Sequence, residues 1–264
     1  MGLSVGATDM KTAIYDQLYK QQYGKEKVVI SLVEGDITKQ AFNDPEHAAI
    51  VNAANDKLAF GAGVCGAIFK AAGPEKLIDA CKQYPKGCPV GKAVITGSYD
   101  LKDNGGAHHI IHAVGPQKVD ELALFDVYYN TLALADKHAI TALALPAIST
   151  GLFGYDVEDA TPVAFAAIMT YLKRYPGTSI RDIRLVTFEQ SNKRKLNRDL
   201  KDYWIYFINL HKLAVRGMIQ LKMDPEVDAA IAAEKAKKVP TPKPVMSFEV
   251  LVTHQPMKLN FISI

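Results

Sequence analysis

The sequence predicts an α/β fold in which helices cover both faces of a central sheet, a three-layer α/β/α sandwich. Apolar segments of strand length recur along the chain, and segments with helical periodicity lie between them. Several of these strands are apolar along their whole length, which is typical of strands covered on both faces. The strand segments are KVVISLVEG, AAIVNAA, AVITGSY, HHIIHAVGP, TALALPAIST and DIRLVTFEQ, which begin at residues 27, 48, 93, 108, 141 and 182.

The helices are expected where apolar residues recur with helical spacing between these strands. They run from Val64 to Ala72, Glu75 to Gln83, Glu121 to His138, Asp156 to Arg174 and Asn192 to His211.

The domain organisation follows from changes in composition. We expect an N-terminal helix in residues 1–24, the main domain in 25–212 and a C-terminal extension in 213–264. The extension contains an Ala-rich helical pattern, EVDAAIAAEKAKK, and then VPTPKPV, a Pro-rich linker that cannot pair as a central strand. Its last segment, MSFEVLVTHQPMKLNFISI, is β-prone. The sequence leaves open whether this tail adds an edge strand, docks on a partner or is partly disordered.

The bulk composition is that of a globular protein in a reducing compartment. The chain has 264 residues, of which 48% are hydrophobic, and a formal net charge of +3, which does not favour a nucleic-acid or membrane surface. Its three cysteines, Cys65, Cys81 and Cys88, have no Cys-x-x-Cys spacing and indicate neither a disulfide framework nor a zinc knuckle. No signal-peptide core or long apolar segment is found, so we expect a soluble, cytoplasmic protein, with secretion as an effector or origin in a viral polyprotein left open.

Gly61, Gly63 and Gly66 have the G-x-G-x-x-G spacing of a dinucleotide-binding loop. In that motif the first glycine ends a strand, and an acidic residue closes the next strand about 20 residues later. Here the polar segment NDKLAF separates the strand from Gly61, and the nearest acid, Asp79, lies in a helical pattern. We therefore reject the nicotinamide or flavin interpretation and expect no cofactor.

Two glycine-containing loops nevertheless have the chemistry of an anion site. Glycines allow backbone N–H groups to approach an anion closely, and VCGAIFKAA opens a helix directly behind the first loop. The segment PAISTGLFGYDVEDA places Ser149, Thr150, Gly151 and Gly154 between a strand and another helix. Two such loops can enclose a diphosphate between them.

Six segments in order resemble the macrodomains, a family of ADP-ribose-binding modules. They are EGDIT, AIVNAAN, GAGVCGAI, GCPVGKAVITGSYDL, HHIIHAVGP and LPAISTGLFGY, and the likeness spans about residues 27–212. The resemblance implies a mixed central sheet between two helical layers.

The resemblance also implies a role for each residue of the site. Asp36 accepts from the adenine amine, the Ile37 N–H contacts the ring and Phe188 packs on the base. Asn55 binds the distal ribose and is the expected catalytic residue, with Phe153 flanking that ribose. The remaining ligand contacts are the phosphate-binding loops, which comprise Gly61, Gly63, Val64, Cys65, Gly66, Ser149, Thr150, Gly151 and Leu152.

Three positions depart from the pattern of hydrolytic members. Cellular hydrolytic macrodomains often have an acid where Cys65 stands and a histidine where Phe69 stands, and some viral ones have a histidine at the position of Phe60. A thiol is a poor general base at its ordinary pKa. GVCGAIFK nevertheless resembles a segment of the alphavirus macrodomains, a group with ADP-ribosyl hydrolase activity despite a cysteine and an aromatic residue at the positions of Cys65 and Phe69. Ala62 replaces a family glycine and is expected to be tolerated.

Several of these residues also have ordinary structural interpretations. Asp36 can simply be a helix N-cap, Phe188 a core residue, and Asn52 and Asn55 turn formers. Cys65 is more often a small filler than a nucleophile. His108, His109 and His112 fall on opposite faces of a strand, so no metal site is expected. The basic segment NKRKLNR is most simply a solvated face, which leaves nucleic acid an unfavoured partner.

The leading hypothesis is an ADP-ribose-binding hydrolase that removes mono-ADP-ribose from acidic side chains, with deacetylation of O-acetyl-ADP-ribose as a second activity. Its expected partners are ADP-ribose and mono-ADP-ribosylated proteins. One alternative is a non-catalytic reader of ADP-ribose. Another is an interaction protein whose function lies in residues 213–264, with the main domain as a targeting module.

Overall fold

A computed structural model describes residues 19–23, 26–188, 219–223 and 248–252. Two compact units divide the chain, residues 1–205 and 206–264. The strands of the first unit are β1 (Tyr19–Tyr23), β2 (Glu26–Glu34), β3 (Ala48–Ala54), β4 (Ala93–Gly97), β5 (His109–Val114), β6 (Ala142–Leu145) and β7 (Asp182–Thr187). Its helices are α1 (Gly63–Ala72), α2 (Pro74–Cys81), α3 (Asp100–Asp103), α4 (Glu121–Lys137) and α5 (Val157–Arg174), with a 3-10 turn at Ile37–Lys39.

A mixed sheet of seven strands forms the centre of this unit, in the order β1-β2-β7-β6-β3-β5-β4. The inner strands β2, β7, β6, β3 and β5 are parallel, while β1 and β4 pair antiparallel at the two edges. The carboxyl ends of the five parallel strands therefore meet at one edge of the sheet, which is where ligands bind in open α/β sheets.

Helices cover both faces of the sheet, as predicted. Along β3, Ile50 and Val51 point to opposite faces, and both are buried. Ile50 belongs to a core cluster with Ile68 of α1 and Leu77 of α2, whereas α4 packs against β4, β5 and α5. The predicted α/β/α sandwich is confirmed.

The ends of the strands differ from the predicted ones. The segment TALALPAIST was expected to be a strand throughout, yet β6 stops at Leu145. Pro146 follows and has no N–H to donate to a neighbouring strand, so the chain leaves the sheet there. Similarly, β7 ends at Thr187, just before Phe188. The residues past these strand ends form loops at the carboxyl edge of the sheet.

The prediction of an N-terminal helix is wrong for Tyr19–Tyr23, which form β1. These residues pair antiparallel with β2, with Tyr19 opposite Ile30 and Tyr23 opposite Glu26. The ladder of hydrogen bonds to β2 overrides the weak local helix preference. Residues 1–18 lie outside the described residues, as do the predicted helix Asn192–His211, the Ala-rich helical pattern and the Pro-rich linker.

The second unit contains one described feature, an antiparallel pair of strands. They are β8 (Ile219–Met223) and β9 (Phe248–Val252), with Ile219 opposite Val252. β9 falls within the segment that the sequence marks as β-prone. None of the described helices has the length and apolar character that a membrane crossing requires.

Candidate functional site

A cavity of about 540 Å³ lies at the carboxyl ends of the parallel strands. All five of these ends supply it directly: Asp36 follows β2, Asn55 follows β3, Gly115 follows β5, Pro146 follows β6 and Phe188 follows β7. Every residue to which the resemblance assigns a ligand contact lines this cavity except Gly66, and Gly154 of the second loop does not line it either. The strand order thus brings together residues that are as far apart in the sequence as Asp36 and Phe188.

The Asn55 side chain is held by the loop that follows it. Its Nδ2 donates to the carbonyl oxygen of Ala59 at 2.9 Å, and the Ala59 N–H donates to Asn55 Oδ1 at 3.0 Å. The turn is closed by Leu58, whose N–H donates to the Asn55 carbonyl at 2.9 Å and whose φ is 55°. A carboxamide has a second N–H and a second lone pair, so Asn55 keeps a donor and an acceptor for a ligand in a fixed orientation.

The start of α1 faces the cavity without a side-chain cap. Ala62 is the N-cap residue, its side chain makes no capping hydrogen bond, and its φ is −107°. This extended backbone suits alanine, so the expectation that Ala62 is tolerated is confirmed. The first N–H groups of the helix, at Gly63, Val64 and Cys65, have no acceptor within the helix and point out from its positive end. Unpaired N–H groups at a helix N-terminus favour a negatively charged ligand.

Gly66 supports this loop from behind instead of lining the cavity. A Cβ at Gly66 would lie 2.6 Å from the carbonyl oxygen of Gly61, closer than real Cβ contacts come. The glycine therefore lets α1 approach the loop that precedes it. Gly63 has a φ of 62°, which favours glycine at the turn into the helix.

The second loop, residues 146–155, is anchored by a buried tyrosine. The Ile148 N–H donates to Tyr128 Oη at 2.9 Å, and the Tyr128 hydroxyl donates to the Pro146 carbonyl at 3.3 Å. Thr150 Oγ1 donates to the Ala147 carbonyl at 3.0 Å. These bonds hold Ser149 to Phe153 against the cavity. Leu152 is 73% exposed at the tip of the loop.

Ser149 is held in an unusual state within this loop. Its φ is 69°, a left-handed conformation that costs a non-glycine residue about 1 kcal/mol or more. Its buried hydroxyl has no hydrogen-bond partner in the part of the chain that the structure describes. Gly115 lies directly against it, because a Cβ at Gly115 would come within 2.2 Å of Ser149 Oγ. Strain and an unused polar atom are typical of a binding loop.

The third side of the cavity holds Asp36, Ile37 and Phe188. Asp36 Oδ1 accepts from the N–H of Thr38 at 2.9 Å and from its hydroxyl at 2.8 Å, so Asp36 does cap the 3-10 turn. Asp36 lines the cavity, and all of its described side-chain hydrogen bonds go to Oδ1, which leaves Oδ2 available as an acceptor. Phe188 is 47% exposed, so it is not a core residue.

Cys65 lies beside Asn55 but is a poor candidate for a nucleophile or a base. The residue is only 5% exposed, and its Sγ donates to the Ala59 carbonyl at 3.8 Å. Burial raises the pKa of its thiol above the ordinary value. The group therefore stays protonated near neutral pH.

A chain of hydrogen bonds between buried side chains joins the three strands β3, β5 and β4. Asn52 Nδ2 lies 3.1 Å from His112 Nδ1, and His112 Nε2 lies 2.9 Å from Thr96 Oγ1. In this orientation of the Asn52 amide, its nitrogen can only donate, so His112 Nδ1 accepts the hydrogen bond. The imidazole proton of His112 therefore sits on Nε2. Burial lowers the pKa of His112 to about 4, which keeps it neutral.

This pKa predicts a pH dependence of stability. The unfolded chain binds a proton at His112 below about pH 6.5, whereas the folded protein does so only near pH 4, so stability falls as the pH drops through this window. The contribution is about 3 kcal/mol, since one pKa unit corresponds to about 1.4 kcal/mol. Denaturant unfolding of the wild type and His112→Gln at a series of pH values measures it. The loss should be smaller in the variant by this amount; parallel curves would contradict the prediction.

No group of three or more His, Cys, Asp or Glu side chains in the described ranges is arranged to hold a metal ion. His109 Nε2 instead lies 3.1 Å from the Glu46 carbonyl oxygen, and His112 is hydrogen-bonded to buried side chains that include Thr96. The chemistry of the cavity rests on backbone N–H groups, one carboxamide, one carboxylate and aromatic rings.

Comparisons with known proteins agree with this geometry. The family model of the Macro domain matches residues 51–164. A macro domain-containing protein of Caldanaerobacter subterraneus subsp. tengcongensis is 39% identical over 189 residues, 69% of this chain and 94% of the relative. The O-acetyl-ADP-ribose deacetylase of Escherichia coli K12 is 42% identical over 158 residues, 56% of this chain and 83% of that enzyme. The crystal structure of the Trypanosoma brucei macrodomain in complex with ADP-ribose superposes with a TM-score of 0.56 at 29% identity, covering 67% of this chain and 68% of that one.

Proposed function

Because the chain belongs to the macro domain family, we propose that its cavity binds ADP-ribose and hydrolyses esters of the distal ribose. The substrates are mono-ADP-ribosylated acidic side chains and O-acetyl-ADP-ribose. The observation that carries this proposal is that two loops line one cavity, residues 61–65 and 146–153, and that the first of them includes the uncapped start of α1. Two similar proteins support the same ligand: the O-acetyl-ADP-ribose deacetylase of Escherichia coli and the Trypanosoma brucei macrodomain crystallised with ADP-ribose.

The ligand is assigned to the cavity by its chemistry. Asp36 Oδ2 accepts from the adenine amine, the Ile37 N–H contacts the ring, and the exposed face of Phe188 packs on the base. The diphosphate lies between the start of α1 and residues 149–153, where the N–H groups of both loops reach its oxygens. The distal ribose then lies at Asn55, with Phe153 beside it.

The proposed chemistry depends on positioning. No described side chain beside Asn55 is a strong base, since the Cys65 thiol is buried and its pKa is raised. On a modified Asp or Glu side chain, a phosphate oxygen of the ligand orients a water and accepts its proton as the water attacks C1″ of the distal ribose. The bond from C1″ to the ester oxygen breaks, and the side-chain carboxylate leaves. On O-acetyl-ADP-ribose the oriented water attacks the acetyl carbonyl carbon instead, the bond from that carbon to the ribose oxygen breaks, the ribose oxygen takes up a proton and acetate leaves. Asn55 fixes the ribose and the loops fix the phosphates, so the reacting atoms meet without a protein base.

Two measurements on the full chain test this proposal. Calorimetry with ADP-ribose, ADP and NAD in parallel should give the tightest binding for ADP-ribose. Incubation with an automodified, mono-ADP-ribosylated protein and with O-acetyl-ADP-ribose should release ADP-ribose and acetate, respectively. Absence of ADP-ribose binding would contradict the whole assignment.

A non-catalytic reader is the second candidate, favoured by the protonated thiol at Cys65. In that case the chain binds ADP-ribose with the same selectivity but leaves the label on the modified protein. Intact affinity together with unchanged label and unchanged O-acetyl-ADP-ribose would replace hydrolysis by recognition.

Asp36 variants test the adenine contact. Asp36→Ala should weaken ADP-ribose binding about tenfold, since a hydrogen bond to a charged group contributes about 1.5 kcal/mol or more, while kcat changes little. Asp36→Asn is the matched variant, because asparagine keeps the cap to Thr38 but presents an N–H where the adenine amine needs an acceptor. Calorimetry should therefore show weak ADP-ribose binding by Asp36→Asn at unchanged thermal stability. Equal loss of affinity and kcat in the alanine variant would contradict this division of roles.

A further inference from the structure

The carbonyl of Ala59 accepts two hydrogen bonds from side chains of the cavity wall. Asn55 Nδ2 donates to it at 2.9 Å, and Cys65 Sγ donates to it at 3.8 Å. A carbonyl oxygen has two lone pairs and can accept both. Because the Ala59 N–H also donates to Asn55 Oδ1, the backbone of a single residue links the thiol to both ends of the Asn55 carboxamide.

The thiol is in turn seated against a rigid part of the sheet. The Asn52 carboxamide interacts with the Cys65 side chain, while Asn52 Oδ1 itself has no hydrogen-bond partner among the described residues. Asn52 stands opposite His112 in the pairing of β3 with β5, and His112 reaches Thr96 of β4. All three of these side chains are buried. The position of Cys65 is therefore set from behind by three strands.

We infer that Cys65 is a positioning residue: its thiol holds the Ala59 carbonyl and thereby fixes the orientation in which the Asn55 carboxamide meets the distal ribose. The inference rests on the proposed function for the role of Asn55. A thiol suits this place because its S–H is a donor facing a carbonyl, whereas a carboxylate would bring negative charge against the same oxygen. Its burial keeps the proton on sulfur, as this role requires.

Three variants test the inference in the full chain. Cys65→Ala removes the donor, Cys65→Ser keeps one, and Cys81→Ala is the matched control because Cys81 is buried in the same core cluster and does not line the cavity. The first readout needs no ligand: the side-chain amide NMR signals of Asn55, assigned by their loss in Asn55→Asp. They should shift in Cys65→Ala, return toward the wild-type position in Cys65→Ser and stay unchanged in Cys81→Ala.

The second readout uses ligands that differ only in the distal ribose. Cys65→Ala should weaken ADP-ribose binding about fivefold, roughly one neutral hydrogen bond, while ADP affinity changes less than about twofold. Cys65→Ser should recover part of this loss. Unshifted Asn55 signals in Cys65→Ala, or equal shifts in Cys81→Ala, would overturn the inference. A wild type that does not prefer ADP-ribose to ADP would instead overturn the proposed ribose site, and the NMR comparison would still decide the positioning role.

Discussion

Asn55→Ala is expected to lower turnover by about 100-fold or more while ADP-ribose affinity falls less than about tenfold. The asymmetry arises because the diphosphate and the adenine supply most of the contacts, whereas orientation of the distal ribose matters most in the transition state. Kinetics with O-acetyl-ADP-ribose and with a modified protein give kcat and KM, and calorimetry gives the affinity.

Asn104→Ala is the control for this substitution. Asn104 also donates from Nδ2 to a backbone carbonyl four residues away, that of Asp100, at 2.7 Å, but it does not line the cavity. Its replacement should leave both turnover and affinity unchanged. Wild-type kcat in Asn55→Ala would remove Asn55 from the mechanism.

Gly66→Ala is expected to disable the first loop. The new Cβ would lie 2.6 Å from the Gly61 carbonyl oxygen, and a backbone atom cannot move aside as a flexible side chain does. Either α1 shifts or the loop opens, and both movements displace the N–H groups assigned to the diphosphate. We expect ADP-ribose and ADP affinities to fall together by about tenfold or more, with a loss of stability of about 1–3 kcal/mol typical of overpacking.

Gly177→Ala is the matched control, since nothing lies within 4 Å of a Cβ there and the residue does not line the cavity. Its affinity should equal that of the wild type in calorimetry. If Gly66→Ala retains wild-type affinity for ADP as well, the first loop is not the diphosphate site.

Local patterns predicted most of the fold because the core strands and helices are regular. β3 spans the predicted segment, and α5 begins one residue after its predicted start because Asp156 is its N-cap. Patterns failed where long-range pairing decides, as for Tyr19–Tyr23 at the sheet edge. They also failed where Pro146 ends β6, because the apolar run continues past the strand into a loop.

The members of the candidate site were predicted through ordered motifs, not through local periodicity. Nothing near Asp36 indicates that Phe188 lies on the same cavity; the adjacency of β2 and β7 brings them together. Gly115 and Tyr128 were missed for the same reason. Gly115 stands in the quoted segment HAVGP, but its importance lies in contact with Ser149, which is distant in sequence.

The strained turn at Ser149 has a consequence for how tightly a ligand can be held. A relaxed loop would have to be bent and ordered as the ligand arrives, and that distortion would subtract from the binding free energy. Here the backbone is already bent, and the buried Ser149 hydroxyl has no hydrogen-bond partner among the described residues, before any ligand enters. The strained turn lowers the stability of the folded protein, but it preorganises the loop for binding. The same contacts therefore give a higher affinity than they would on a flexible loop.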